Sequence, residues 1–221
     1  MNVTLRLMKA TRKELLVIFS VLGILIVLPL FTVVVFASSG ISIVSNALVA
    51  TNSETQRVEL FDPNGVKQSE LELSTLWPTR GVVTDEFGSL SDFRRLLNLS
   101  SHRGIDIANS VGSSGEPVST FLEGEVVSVD SSGLGTCGKN VRIRHENNIE
   151  SLYCHLSATY VANGTKVYPG NTIGLMGSSG LSTGPHLHFQ IEAYGIPVDP
   201  RVFLINEPER SSPVGQLPST Y

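Results

Sequence analysis

Four of the chain's five histidines fall into three short segments, His102-Arg-Gly-Ile-Asp106, Tyr153-Cys-His155-Leu-Ser157 and Gly184-Pro-His186-Leu-His188-Phe189. On a strand, residues i and i+2 project from one face, so His186 and His188 point into a single cleft. One imidazole can bind a metal while its neighbour reaches the water on that metal. Asp106 follows His102 by four residues in a glycine-containing segment, and the two side chains converge if the chain curls there. Two neutral imidazoles and one carboxylate leave a zinc ion net positive charge and an open fourth position, the arrangement of a catalytic site. Such an ion lowers the pKa of bound water from about 16 to about 7 and polarises carbonyl groups. A lone His-x-His is more often a surface accident than a metal site, and a lone His-x-x-x-Asp is weaker still. Their co-occurrence points to a metallohydrolase. His145, at a strand end beside a turn, is read as structural.

These side chains need a scaffold, and the segments carrying them are rich in Val, Ile, Ser, Thr and Gly, which favours strands and tight turns. Pro117 to Phe121, Gly124 to Asp130, Thr172 to Met176 and His186 to Ala193 read as strands. Val141 to His145 alternates apolar and charged, Glu146-Asn147-Asn148 turns, and Ile149 to His155 returns, predicting a hairpin. Beyond the membrane span a helix is expected over Ser91 to Leu99, and the moderately apolar piece Ile41 to Ala50 reads either as part of a spacer or as an interfacial or juxtamembrane helix. Cys137 and Cys154 are the only cysteines, and this hairpin brings them close, so a disulfide beside His155 is expected against the alternative of two buried thiols. The glycines from Gly174 to Gly184 permit tight turns, or keep a loop low enough for an extended peptide to cross the metal.

The expected fold is mainly β, an antiparallel sheet or sandwich over residues 76–205, preceded by one membrane helix. Leu15 to Ala37 is an uncharged apolar run of 23 residues, and a bilayer needs about 20 in helical form. A cleaved signal peptide ending at Val35-Phe36-Ala37 is the competing reading, but its apolar core is usually about 7–15 residues. Arg6, Lys9, Arg12 and Lys13 precede the run and no Lys or Arg follows before Arg57, which predicts a single pass with residues 1–14 in the cytoplasm and the remainder outside. Residues 38–75 are read as a juxtamembrane spacer with a turn at Asp62-Pro63-Asn64-Gly65, and 206–221, rich in Pro and Ser, as a flexible tail. Setting aside residues 1–14 leaves 12 of the 16 basic and 19 of the 20 acidic residues, a net charge of −7. That balance argues against nucleic acid as a partner.

The motifs together resemble the lysostaphin-type zinc endopeptidases, which cut peptide bonds in bacterial cell-wall peptidoglycan. The likeness runs from Trp77-Pro-Thr-Arg-Gly81 and Phe87-Gly88 through the His102 and Tyr153 segments to Gly177-Ser-Ser-Gly-Leu-Ser-Thr-Gly-Pro-His-Leu-His-Phe189 and Pro197-Val-Asp-Pro200. The resemblance implies His102, Asp106 and His188 as ligands of one Zn2+ and His155 and His186 as the catalytic histidines. It also implies a duplicated-hybrid-motif β fold, peptidoglycan stem or cross-bridge peptides as substrate, and residence on the bacterial cytoplasmic membrane through the N-terminal helix. Some relatives carry a tyrosine shortly before the first ligand, and residues 93–101 contain none. Other relatives lack the ligands and act as wall-binding or hydrolase-activating modules, the alternative reading here; the complete ligand set argues for an enzyme.

Overall fold

Period-two alternation of apolar and polar residues builds almost all of the structure. The computed structural model describes residues 43–206 except 53, 73–75, 98, 110 and 111, together with residues 13 and 208. The basic N-terminus, the span expected over residues 15–37 and nearly all of the tail after 206 lie outside the described residues. Among the described residues no helix is long and apolar enough to cross a membrane.

The segment expected as a spacer carries strands. β1 (Val49–Asn52), β2 (Arg57–Phe61) and β3 (Lys67–Glu72) form a three-stranded antiparallel sheet in that order. The turn foreseen at residues 62–65 is the β2–β3 connection, where the Asp62 carboxylate accepts from the backbone N–H groups of Asn64 and Val66. Val58 and Leu60 are fully buried on β2. One to three apolar positions per strand are too few to stand out against the polar background, which is why the segment reads as a linker.

The second sheet holds β4 (Val82–Asp85), β5 (Ile105–Ala108), β6 (Pro117–Ser119), β7 (Gly124–Asp130), β8 (Lys139–Arg144), β9 (Ile149–Thr159), β10 (Lys166–Val167), β11 (Thr172–Met176), β12 (Leu187–Ala193) and β13 (Ile196–Val198). Its main path is β10-β7-β8-β9-β12-β5-β4, with β11 bridging β6 and β9, and β13 on β12. Every pairing is antiparallel. The helix expected over Ser91 to Leu99 is shorter, Asp92–Leu96. The β8–β9 turn places Asn147 and Asn148 both at φ 58°, the left-handed pair that suits a tight hairpin and that asparagine tolerates better than most residues.

On β12 and β5 the alternation separates core from site. Leu187, Phe189 and Ile191 of β12 and Ile105 and Ile107 of β5 are fully buried, and Phe189 packs on Tyr153 and Phe121 with ring centroids 5.2 and 5.4 Å apart. The intervening residues, Asp106 on β5 and His188 and Gln190 on β12, look out from the opposite face into a groove of about 790 Å³. Burying such large side chains stabilises each by about 1.5–3 kcal/mol, so the strands that present the site rest on a well-packed core.

Candidate metal centre

His188 sits opposite Asp106 in the β12–β5 register, which sets two donors side by side. His102 precedes β5 and is completely buried. It is fixed by pairing with the preceding loop: its N–H donates to the Ser89 carbonyl, and its own carbonyl accepts from Gly88 N–H. Gly104 lets the chain cross β12 at close range, because a Cβ there would lie 2.3 Å from the Phe189 carbonyl oxygen. His102 Nε2 thereby stands 2.9 Å from His188 Nδ1 and 3.0 Å from Asp106 Oδ1, and His188 Nδ1 lies 2.9 Å from the same carboxylate oxygen.

The outer hydrogen bonds decide what these three atoms can do. His102 Nδ1 donates to the Glu86 carbonyl at 3.0 Å, leaving Nε2 as a lone pair. The Gln190 amide nitrogen donates to Glu192, so its carbonyl oxygen is left to accept from the His188 ring. That bond leaves His188 Nδ1 as a lone pair too. Two imidazole lone pairs and a carboxylate oxygen within 3.0 Å of one another repel unless a cation lies between them. Ligands of a tetrahedral zinc, at about 2.0–2.2 Å from the ion, stand roughly 3.3 Å apart, so nitrogen, nitrogen and oxygen here suit that ion. Burial pushes the Asp106 carboxyl up, but positive charge at His102 and His188, from ring protons in the absence of a cation, outweighs this and holds it well below the usual carboxylate range. Burial pushes His188 down, with Asp106 and Gln190 opposing.

The other two histidines stand beside this cluster. His186 Nδ1 donates to the Gly184 carbonyl at 2.8 Å, and its Nε2 lies 3.7 Å from Asp106 Oδ2. His155 Nδ1 donates to the Ser179 carbonyl at 2.8 Å, and the two rings are 4.6 Å apart. Both rings therefore keep Nε2 for the groove. Burial pushes His155 down to about 4, reinforced by His186 and His188 and opposed by its bond to Ser179.

His155 reaches the groove through a bulge. Register runs from Val141 opposite Tyr153 to Lys139 opposite Leu156, so two β9 residues, Cys154 and His155, face one on β8. His155 takes φ 62° there. Strict alternation would turn it into the core with Ile149 and Tyr153; the bulge gives that face to Leu156 and re-aims His155, as bulges beside functional sites do. Cys137 and Cys154 are disulfide-bonded with Cα atoms 5.0 Å apart, and His155 N–H donates to the Cys137 carbonyl.

Asp106, His155, His186 and His188 thus line one groove, with His102 buried against two of them. His145 does not join them: it is buried elsewhere, bonded to the Glu123 carbonyl and Ser151, with burial lowering its pKa. The residues that sequence reasoning missed are the orienting ones. Gln190 was legible as the next residue on the His186 and His188 face; the carbonyls of Glu86, Ser179 and Gly184 carry no side-chain signature.

Residues 100–200 match peptidase family M23. Over 108 residues, 49% of this chain and 24% of the relative, the sequence is 42% identical to the DD-carboxypeptidase/endopeptidase Mpg of Neisseria meningitidis. Over 123 residues, 56% of this chain and 27% of the relative, it is 35% identical to the peptidoglycan DD-endopeptidase ShyC of Vibrio cholerae. The chain thus spans about a quarter of the length of these relatives. A zinc-containing peptidase from Vibrio cholerae has a similar structure, with TM-score 0.51 and 25% identity over 72% of this chain and 47% of that one. The histidine and aspartate donors are thus gathered inside residues 100–200, which form a peptidase M23 domain.

Proposed function

We propose that the chain is a zinc endopeptidase that hydrolyses peptide bonds of bacterial peptidoglycan. The observation that carries this reading is the meeting of His102 Nε2, Asp106 Oδ1 and His188 Nδ1 as three unprotonated donors within 3.0 Å, next to two histidines with fixed tautomers. The peptidoglycan substrate is supported by the relatives' activities. A zinc ion held by His102, Asp106 and His188 supplies Lewis-acid polarisation of the carbonyl and acidifies water. His155 and His186 supply proton transfer. With its pKa lowered to about 4, His155 is neutral at pH 7 and its Nε2 can take a proton from the attacking water. His186 Nε2, beside Asp106 Oδ2, is placed to hold a proton and return it to the leaving amine. The bonds to Ser179 and Gly184 stop either ring from swapping its nitrogens during the cycle.

The apolar run over residues 15–37 and the basic residues before it support a single-pass anchor in the cytoplasmic membrane, N-terminus inside and the groove outside. On this reading residues 38–75 hold the groove off the bilayer, with the β1–β3 sheet as a folded part of that spacer. The test is to incubate the full-length chain with purified peptidoglycan and zinc and to measure new amino termini. Cleavage by wild type and its loss in Asp106→Asn and His155→Ala are expected. Binding to peptidoglycan without any new amino termini would replace the enzyme by a wall-binding or hydrolase-activating module.

A further inference from the structure

The groove extends beyond the metal centre along β12, and its far end is charged. His188, Gln190 and Glu192 share one face of the strand, opposite Cys154, Leu152 and Glu150 of β9, with Arg142 of β8 beyond Leu152. At about 3.3 Å per residue, Glu192 is roughly 13 Å along the strand from His188. Three arginines line the groove, Arg94, Arg103 and Arg142. Arg94 lies 3.7 Å from Asp85. Arg142 donates to Glu192 at 2.8 Å and to Glu150 at 3.2 Å. Glu192 is buried and already accepts from Arg142 and from Gln190. Arg103 meets that same carboxylate only at 3.7 Å, beyond hydrogen-bond reach, with half of its side chain exposed. Arg94 stands equally far from Asp85 but has only 19% of its side chain exposed, so among the described residues Arg103 is the most exposed of the three groove arginines, and its carboxylate neighbour is already satisfied.

From this arrangement we infer that Arg103 is a specificity residue that binds a carboxylate of the peptide substrate about three residues from the bond cleaved. The inference rests on the hydrolase reading above and adds a substrate class to it: anionic peptides. A guanidinium pairs with a carboxylate through two parallel hydrogen bonds. Its distance from the metal centre, on the order of 10 Å, equals about three residues of extended peptide. Half-buried Arg142 stays paired with buried Glu192 beneath it, so Arg103 can turn from Glu192 to a ligand without uncovering an unpaired charge.

The carboxylate can come from an acidic side chain or from a peptide terminus, and paired peptides separate the two. One pair carries Glu or Gln three residues from the cleaved bond, on either side in turn; the other ends there as a free acid or an amide. The full-length, zinc-loaded chain is assayed with each for kcat/KM and, independently of cleavage, for Kd by fluorescence anisotropy. Wild type should favour the acid of at least one pair about tenfold, through KM and Kd. Arg103→Gln should bring that ratio below about threefold, and Arg103→Lys, with charge but no fork, should fall between. Because each ratio compares two peptides on one protein, a general loss of activity or folding does not imitate the result. Equal ratios in wild type at every position, or a ratio unchanged in Arg103→Gln, would overturn the inference. Selective binding that depends on Arg103 with no cleavage would keep the carboxylate site and reject the hydrolase reading; cleavage without selectivity would do the reverse.

Discussion

Opening the Cys137–Cys154 bridge should damage both the stability of the domain and the placement of His155, by amounts that the structure allows to be estimated separately. The bridged cysteines are 17 residues apart in sequence, and closing a loop of that size restricts the unfolded chain by about 3 kcal/mol. For a domain of this size that corresponds to a fall in Tm of roughly 6–12 °C. The catalytic effect arises next door. Cys154 precedes His155, whose φ of 62° costs a residue with a Cβ about 1–2 kcal/mol. Two hydrogen bonds oppose that cost, His155 N–H to the Cys137 carbonyl and His155 Nδ1 to the Ser179 carbonyl, at about 1 kcal/mol each. Without the bridge nothing covalent holds Cys137 against β9, and the balance lies near zero. The competent arrangement then falls to about half or less, so kcat should drop roughly two- to tenfold. Thermal unfolding and steady-state hydrolysis, with and without a dithiol reductant and on Cys137→Ser/Cys154→Ser, measure both effects, with thiols counted after denaturation to verify the redox state. Unchanged Tm and kcat in protein proven to be reduced would refute the reasoning.

Gln190→Ala removes the acceptor that orients His188 and should weaken zinc affinity about 10- to 100-fold, read by competition with a chromophoric chelator; unchanged affinity would mean that the ring is oriented by Asp106 alone. Gly104→Ala places a Cβ about 2.3 Å from the Phe189 carbonyl oxygen, a backbone atom that cannot move aside, and should destabilise the domain by about 2–3 kcal/mol in denaturant titration. In chelator-treated protein, His145 and His155 are buried with lowered pKa values, so the unfolded chain binds more protons than the folded one below about pH 6.5. Stability is therefore complete above that pH and declines as pH falls from about 6.5 toward 4; stability that rises with acidification over this window would contradict the burial argument.

What was legible in the sequence, and what was not, follows from how far each signal travels along the chain. His186 and His188 share a face because strands have a period of two, and the same rule put Leu187 and Phe189 in the core. Thr172–Met176 and Gly124–Asp130 came out with their expected bounds because each run is apolar, branched and closed by glycine or a turn. His102, Asp106 and His188 were united beforehand by resemblance; spacing alone left open whether the chain curled after His102, and Gly104 passing over Phe189 is the physical answer. His155 marks the limit. A strand reading over Ile149 to His155 assigns it to the core face by parity, and only the extra residue opposite β8 reverses that. The bulge depends on contacts with Cys137 and Ser179, 18 and 24 positions away, so no local pattern encodes it. The residue whose position the local pattern gets wrong is also the one at a strained φ beside the disulfide, which is what selection for a proton-transfer geometry rather than for strand regularity would leave behind.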